Sequence, residues 1–543
     1  MSEHGTGPVA VLQRDGSDTT SDAPDGLLDE EPRRRISFLR VLIALVVLAL
    51  AVGGGIIGLR TRLAATAVVP GTWFAPYVDV TATPTYQFQD SANNDARQVV
   101  LGFVVAQGRT SCTPSWGGAY TEDQAAQSLN LDSRVAQVRQ EGAQVIASFG
   151  GQKNTNLDDA CSDPAALRAA YQSVISRYHL TTVDLDMEGA ALDDFAAVQR
   201  GATAMAALQR AARAAHSHLD VWLTLPVEPN GLQDNALSVV TTMLRAHVAL
   251  AGVDVMTMDF DHVGSDPDML AQSEQALDAT HAQLADLFPR YGIDLRGKQV
   301  WNRMGATVMI GQNDVAGQQF TVADARGLAR FATRNGLGRT SMWSLNRDSQ
   351  CGSNFALTGV KSTSCSGVAQ SRLAFSGVLA GQLKGTAGAQ TTSAARLTSP
   401  AVDTNPADAP YPQWQPAESY QTGYKVVRQG YIYQSKWYNQ GQDPASQVQY
   451  SWQTPWLLVG PVVKGDHAPT LPTLPAGTYP AWSETQSYVT GDRVLFNGLA
   501  YQAKWASLGA SPASEQVDPS SSPWQALFTI PGEPTTDNGS TNS

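Results

Sequence analysis

The 543-residue sequence predicts an α/β protein built on a (β/α)8 TIM barrel, with two small all-β units behind it and one transmembrane helix in front. Three observations predict this. Between residues 70 and 384, eight apolar runs alternate with helix-patterned segments. That alternation marks a parallel sheet, and eight such units suit a barrel of about 250 residues before insertions. Residues 411–461 and 479–527 repeat one another at an offset of 68 residues. Val41 to Leu59 is an uncharged run of 19 residues, long enough to span a bilayer.

From the N-terminus, residues 1–36 are rich in Gly, Ser, Thr, Asp and Glu and read as a disordered cytoplasmic tail. Arg33, Arg34, Arg35 and Arg40 stand on the N-terminal side of the apolar run of the 37–60 anchor. Positive charge stays inside, so everything beyond Leu59 is expected outside the cell membrane. The competing expectation is a cleaved export signal, with Ala65-Thr66-Ala67 as processing site and a secreted product. Both place the rest of the chain where its four cysteines can form two disulfides. No C-x-x-C pair occurs, so zinc is not expected. A net charge of -12 and a pI near 5.1 lack the basic face that phosphate binding needs, so no nucleic-acid partner is expected.

The apolar runs centre near Phe74, Leu101, Ile146, Asp184, Leu223, Val255, Trp301 and Met342. One intervening helix shows the pattern: Asp163 caps it, Pro164 takes the first turn, and Leu167, Tyr171, Val174, Ile175 and Tyr178 form one stripe. In a barrel of this kind chemistry gathers at the C-terminal ends of the strands. Strand three ends in Ser148-Phe149-Gly150-Gly151, whose small residues let something approach the mouth. Strand six ends in Met256-Thr257-Met258-Asp259-Phe260, and strand eight in Met342-Trp343-Ser344-Leu345-Asn346-Arg347-Asp348. Cys112 and Cys161 follow strands two and three on adjacent loops, and Cys351 and Cys365 would close a short loop after strand eight. Cys112–Cys161 and Cys351–Cys365 are therefore the expected pairs, although sequence alone leaves connectivity open.

Strand four carries the chemistry. In Thr182-Val183-Asp184-Leu185-Asp186-Met187-Glu188-Gly189, the three acids fall at i, i+2 and i+4 and share one face, while Val183, Leu185 and Met187 point the other way. Neighbouring carboxylates on that face are roughly 7 Å apart. Like charges that close disfavour joint ionisation, so at least one acid keeps a proton near neutral pH. A retained proton beside an ionised partner is what general acid catalysis requires.

Over roughly Gly71 to Gln382 the chain resembles a family 18 glycoside hydrolase, a bacterial chitinase. The family's D-x-D-x-E core is present as Asp184, Asp186 and Glu188, and its S-x-G-G as Ser148 to Gly151. Leu225-Pro226-Val227, Thr307 to Asp314 and Trp343 to Asp348 resemble one bacterial subgroup. The resemblance implies substrate-assisted hydrolysis, with the sugar's own 2-acetamido carbonyl as nucleophile. Glu188 would be the general acid, Asp186 would orient the acetamido N–H, and Asp184 would share a proton with Asp186. Trp343 would form the apolar floor, and Asp259, Met256, Ser148, Gly150 and Gly151 would line the substrate site. Many members place a tyrosine where this chain has Met258, so Tyr77 or a loop residue is expected to complete the acetamido contact. No metal or cofactor is required. Only Val315 to Phe320 follows strand seven before the next helix, which leaves no room for an inserted domain and points to a shallow cleft and internal cleavage.

Residues 385–410 are rich in Ala, Thr, Ser and Pro and read as a linker. In the repeat behind it, Trp414, Tyr420, Tyr433, Lys436, Trp437 and Trp456 recur as Trp482, Tyr488, Tyr501, Lys504, Trp505 and Trp524. Both units resemble the small chitin- and cellulose-binding modules of carbohydrate-binding families 5 and 12. Flat aromatic rings stack on pyranose faces, and Trp437, Tyr438 and Trp505 are the expected binding aromatics. The proline-containing 462–478 segment should keep the units apart as separate beads, and residues 528–543 read as a disordered tail. The expected partner is chitin or a related N-acetylglucosamine polymer, bound by a monomer. A surface chitin-binding adhesin without turnover, or a hydrolase of the same mechanism acting on another N-acetylglucosamine-containing glycan, are the alternatives.

Overall fold

The computed structural model describes residues 71–386 and 402–532, apart from 95, 262, 265–266, 354–360, 447, 449–450, 518–520 and 529. The tail at 1–36, the 37–60 anchor and the processing site near Ala67 lie outside the described residues. Among the described residues no helix is long and apolar enough to cross a membrane.

Residues 71–384 form an α/β domain around one sheet. Its strands in chain order are β1 (Trp73–Phe74), β2 (Tyr77–Asp79), β3 (Gln98–Ala106), β4 (Pro114–Trp116), β5 (Tyr120–Thr121), β6 (Gln144–Gly150), β7 (Thr182–Asp186), β8 (Asp220–Pro226), β9 (Leu250–Met256), β10 (Met304–Met309) and, after a short hairpin of β11 (Gly311–Gln312) and β12 (Gln319–Phe320), β13 (Arg339–Trp343). The order in space is β1-β13-β10-β9-β8-β7-β6-β3, all parallel, with β4 and β5 added antiparallel at β3, and β2 also pairs with β3. Helices cover the outer face, so the strands are buried on both sides and read as near-continuous apolar runs. Val183, Leu185 and Met187 join the core beneath those helices. Asp184 and Asp186 take the opposite face of β7 and are also buried. The period-two assignment of the acids thus holds.

The helix Pro164–Arg177 starts as its sequence requires, with the Asp163 carboxylate accepting the amides of Ala165 and Ala166 at 3.1 and 3.3 Å. The seventh strand departs from expectation. The apolar run at Trp301 closes a short helix, Lys298–Trp301, and the strand begins at Met304. Trp301 is apolar because it packs outside the sheet, stacked on His281 at 4.3 Å and edge-on to Phe331 at 5.6 Å. The connection from β2 to β3 contains no helix among the described residues. Arg134 holds it instead, donating to Gln89 Oε1 at 3.0 Å and covering the Phe88 ring at 4.3 Å. Cys112–Cys161 and Cys351–Cys365 are both bridged, with Cα separations of 4.8 and 5.0 Å.

The two C-terminal units share one design. Each has a three-stranded antiparallel sheet, Lys425–Arg428, Tyr431–Ser435 and Trp456–Pro461 in the first, Arg493–Phe496, Leu499–Ala503 and Trp524–Ala526 in the second. Even the polar anchors repeat: Trp456 Nε1 donates to Gln442 O at 2.7 Å and Trp524 Nε1 to Ala510 O at 2.8 Å. The first unit is docked on the α/β domain. Its strand Trp456–Pro461 covers the helix Leu131–Gln140 at Ser133 and Gln137, which are buried although they lie on the outside of an outer helix. Tyr411 donates from its hydroxyl to Asn130, and Lys425 N donates to Gly532 O at 2.6 Å, so the chain returns to the first unit after completing the second. Residues 402–404 of the linker also pack on the first unit, against Gly430.

Candidate active site

The inner face of the sheet is a polar column closed at the bottom by aromatic rings. Trp73 and Trp222 meet edge to face at 5.4 Å, and Arg339 lies over both, 5.5 and 5.7 Å from the ring centres. Arg339 sits between two carboxylates, with Nη1 2.7 Å from Asp184 Oδ1 and Nε 3.2 Å from Asp254 Oδ2. Asp184 accepts three more hydrogen bonds, from Thr224 Oγ1 at 2.7 Å, Ser148 Oγ at 2.7 Å and the Tyr77 hydroxyl at 2.8 Å. Arg339 and these three hydroxyls are its hydrogen-bond donors among the described residues. Asp254 accepts from Thr307 Oγ1 at 2.7 Å, and burial pushes its carboxyl up to about 6 against the pull of Arg339.

One step up β7, Asp186 is buried with Oδ1 lacking a hydrogen-bond partner among the described residues. Burial, then the charges of Glu188, Asp184 and Asp254, hold its carboxyl well above the usual range. Glu188 follows just past the strand end, half-buried, before the turn Gly189–Leu192. Burial raises it to about 7, helped by the charges of Asp259 and Asp314. The column therefore runs from an ion-paired base to an acid that still holds its proton near neutrality, in the order that general acid chemistry needs.

Close backbone contacts explain the glycines. A Cβ on Gly150, at φ +109°, would fall 2.0 Å from Asp186 O, and one on Gly151, at φ +90°, would fall 2.9 Å from the Phe103 ring. Phe103 is half-buried and stacks on Trp343 at 5.3 Å, with Tyr77 6.2 Å from Trp343. These rings form an apolar floor beside the acids. Asp259 stands at φ +52°, held by the amides of Asp314 and Val315, which donate to its Oδ1 at 2.6 and 3.1 Å.

The described geometry can be set beside known proteins. No family model matches the chain. It is 31% identical over 291 residues to a probable bifunctional chitinase/lysozyme of Escherichia coli K12, a match covering 52% of this chain and 32% of that one. It is 30% identical over 284 residues to Endochitinase 11 of Metarhizium anisopliae, covering 51% and 52%. Over this part the chain is similar to chitinases. It spans about a third and about half of the length of these two relatives. Among solved structures, the catalytic domain of a hyperthermophilic chitinase from Pyrococcus furiosus matches at 26% identity, with 57% of this chain and 94% of that one covered and a TM-score of 0.49.

Of the residues singled out from sequence, Asp184, Asp186, Tyr77, Ser148, Gly150, Gly151 and Trp343 gather around the column with Glu188 at its mouth. Tyr77 is fully buried, and its hydroxyl is occupied by Asp184, Thr224 and Arg339. It braces the acid below the cleft. Met256 and Met258 are half-buried at the end of β9, where the Met258 amide donates to Met256 O at 2.9 Å. Trp437, Tyr438 and Trp505 belong to the C-terminal units and are exposed at 42, 57 and 44%. The sequence reading missed Arg339, Thr224, Phe103 and the exposed Trp452. Arg339 was findable: it is two and four residues before Ser341 and Trp343, on the inward face of β13.

Proposed function

We propose that this chain is a chitinase, hydrolysing β-1,4 bonds between N-acetylglucosamine units with retention. The observation that carries the reading is the unpaired, buried Asp186 oxygen beside Glu188. An acetamido N–H is a donor of the right kind to fill it, and a glycosidic oxygen above Glu188 receives the proton. The acetamido carbonyl oxygen then attacks C1 as the C1–O bond breaks, giving an oxazolinium ion and a free sugar hydroxyl. Asp186 stabilises the positive ring through the N–H it accepts. Glu188, now a carboxylate, takes a proton from water as that water opens the oxazolinium at C1 on the face the leaving group vacated. Trp343 and Phe103 support the sugar from below. Asp259 borders the acetamido side, next to Met256 and Met258.

We read the sheet as a closed (β/α)8 barrel, since β1 pairs with β13 and β2 with β3, separated only by Ala75 and Pro76. The exposed Trp437, Tyr438 and Trp505 support reading the C-terminal units as modules like those of families 5 and 12, stacking on the polymer surface. Trp452, exposed at 68%, extends the surface of the first. A monomer held at the cell membrane by one N-terminal helix, with the catalytic domain outside, completes the reading.

The test is turnover of chitin oligomers by the purified region after residue 62. Wild type should release β-anomeric products, and Glu188→Gln should lower turnover by at least about a thousandfold. Undiminished turnover in that variant would refute the assignment.

A further inference from the structure

The two C-terminal units place the same strands in the same register, yet one strip of surface changes chemistry between them. In the first unit a two-stranded ladder pairs Ser419 with Gln440 and Tyr420 with Asn439. In the second the ladder pairs Ser487 with Leu508 and Tyr488 with Ser507, the same positions displaced by 68 residues. Tyr488 is buried, so Ser487 and Val489 on either side of it face outward. Paired residues share a face, which puts Leu508 on that same outer side. The chain that supplies Leu508 has just passed through Ala506 and the exposed Trp505. At the equivalent positions the first unit carries Gln421, Gln440, Tyr438 and Trp437.

The aromatic is kept and its surround is exchanged. Lys504 lies over the Trp505 ring at 5.3 Å, as Lys436 lies over Trp437 at 4.9 Å. Gln421, Gln440 and Tyr438 can each hydrogen-bond a sugar hydroxyl, whereas Val489, Leu508 and Ala506 cannot. Nor do the aliphatic replacements turn inward. Leu508 is 65% and Val489 61% exposed, the two most exposed large aliphatic side chains among the described residues. An exposed apolar strip with a polar border marks a binding surface. This one is continuous with the ring read above as a sugar platform. We infer that Val489 and Leu508, beside Trp505, take the acetamido methyl groups of the polymer and make the second unit selective for acetylated chains. The inference rests on the reading of the units as modules for an N-acetylglucosamine polymer, and adds which substituent the second one recognises. Pyranose rings offer Trp505 the same kind of face in chitin, in deacetylated chitin and in cellulose. The N-acetyl methyl is the apolar group that the first carries and cellulose lacks. Against Leu508 and Val489 it leaves water favourably, while an amine or hydroxyl in its place gives up bonds to water and finds no partner on the strip.

The test is depletion binding to suspended chitin, deacetylated chitin and cellulose, with the full-length chain carrying Glu188→Gln as parent so that the polymer stays intact. Val489→Gln with Leu508→Gln gives the second unit the side chains of the first. That double variant should bind chitin about three- to fivefold more weakly and the other two polymers within about 1.5-fold of the parent. Trp505→Ala should weaken binding to all three. The converse exchange in the first unit, Gln421→Val with Gln440→Leu, should raise the ratio of chitin to deacetylated chitin bound by about the same factor. A Val489→Gln, Leu508→Gln variant that holds chitin as tightly as its parent, or that loses equally on all three polymers, would overturn the inference. So would a parent that sediments as a dimer beside a double variant that sediments as a monomer, because a second copy would then be what covers the strip. A parent that does not bind chitin at all refutes the polymer reading itself, a separate result obtained before any variant is compared.

Discussion

Arg339 donates from Nη1 to Asp184 Oδ1 at 2.7 Å, and both side chains are shut off from solvent. The same guanidinium reaches Asp254 and the Tyr77 hydroxyl, so one cation organises the base of the site. Removing one partner of a buried pair strands the other, which costs about 3–5 kcal/mol. Arg339→Met should lose about that much stability in urea unfolding. Arg339→Lys retains the charge but not the planar fork, and should recover only part of it. A loss under about 1 kcal/mol in Arg339→Met would show that Asp184 is held by its hydroxyl partners alone.

On the proposed function, the working pH follows from Glu188. Its acid form must be present at the first step, and burial with the neighbouring charges places its titration at about 7. Turnover of chitin oligomers should therefore fall as pH rises through about 7, where an ordinary glutamate would have been ionised since about 4.3. A kcat profile that drops near pH 4 to 5 would mean that another group donates the proton.

How much of this was written in the sequence depends on the range of the interaction. Asp184, Asp186 and Glu188 are close along one strand, and strand geometry alone puts them on one face. Asp163 and Pro164 announced their helix for the same local reason. The partners of Asp184 come from β2, β6, β8 and β13, and no local rule brings Arg339 across 155 positions to meet it. Trp301 was misread because an apolar pair looks the same under a helix as inside a sheet, and only the stack on His281 separates the two. The docking of the first C-terminal unit was illegible because Ser133 and Gln137 are polar residues of the kind that normally face water.

A buried acid outside the site gives a stability test. Asp158 lies on the short helix Leu157–Ala160, under Gly201, whose Cβ would come 2.7 Å from Asp158 Oδ2. Burial, then the charge of Asp159, pushes Asp158 up to about 7. An acid raised in the folded state binds its proton more tightly there than in the unfolded chain. Its stabilising contribution is therefore full below about pH 4 and lost as pH rises towards 7. Asp158→Asn has no proton to lose, so it should gain on wild type by about 2–4 kcal/mol between pH 4 and pH 8. Melting temperatures measured across that window check it, and a constant difference at all pH values would refute it.

The docked first unit should matter for insoluble substrate but not for soluble oligomers. Gly460 brings the strand Trp456–Pro461 against the helix Leu131–Gln140, and any Cβ there would fall 2.1 Å from Ser133 O and 3.3 Å from Gln137 Cβ. Gly460→Val must push the strand off the helix. Lys425, half-buried beside Arg134 and lowered to about 8 by loss of solvation, is a reporter of that contact. In wild type it should resist acetylation by a water-soluble reagent, and in the variant it should label at the rate of an exposed lysine. The site at the strand ends is built from other contacts, so oligomer turnover should stay within about twofold, whereas turnover of insoluble chitin should fall about five- to tenfold as the aromatic surface loses its fixed orientation to the cleft. Equal turnover of the insoluble polymer, with Lys425 labelled, would mean that a tethered module serves as well as a docked one.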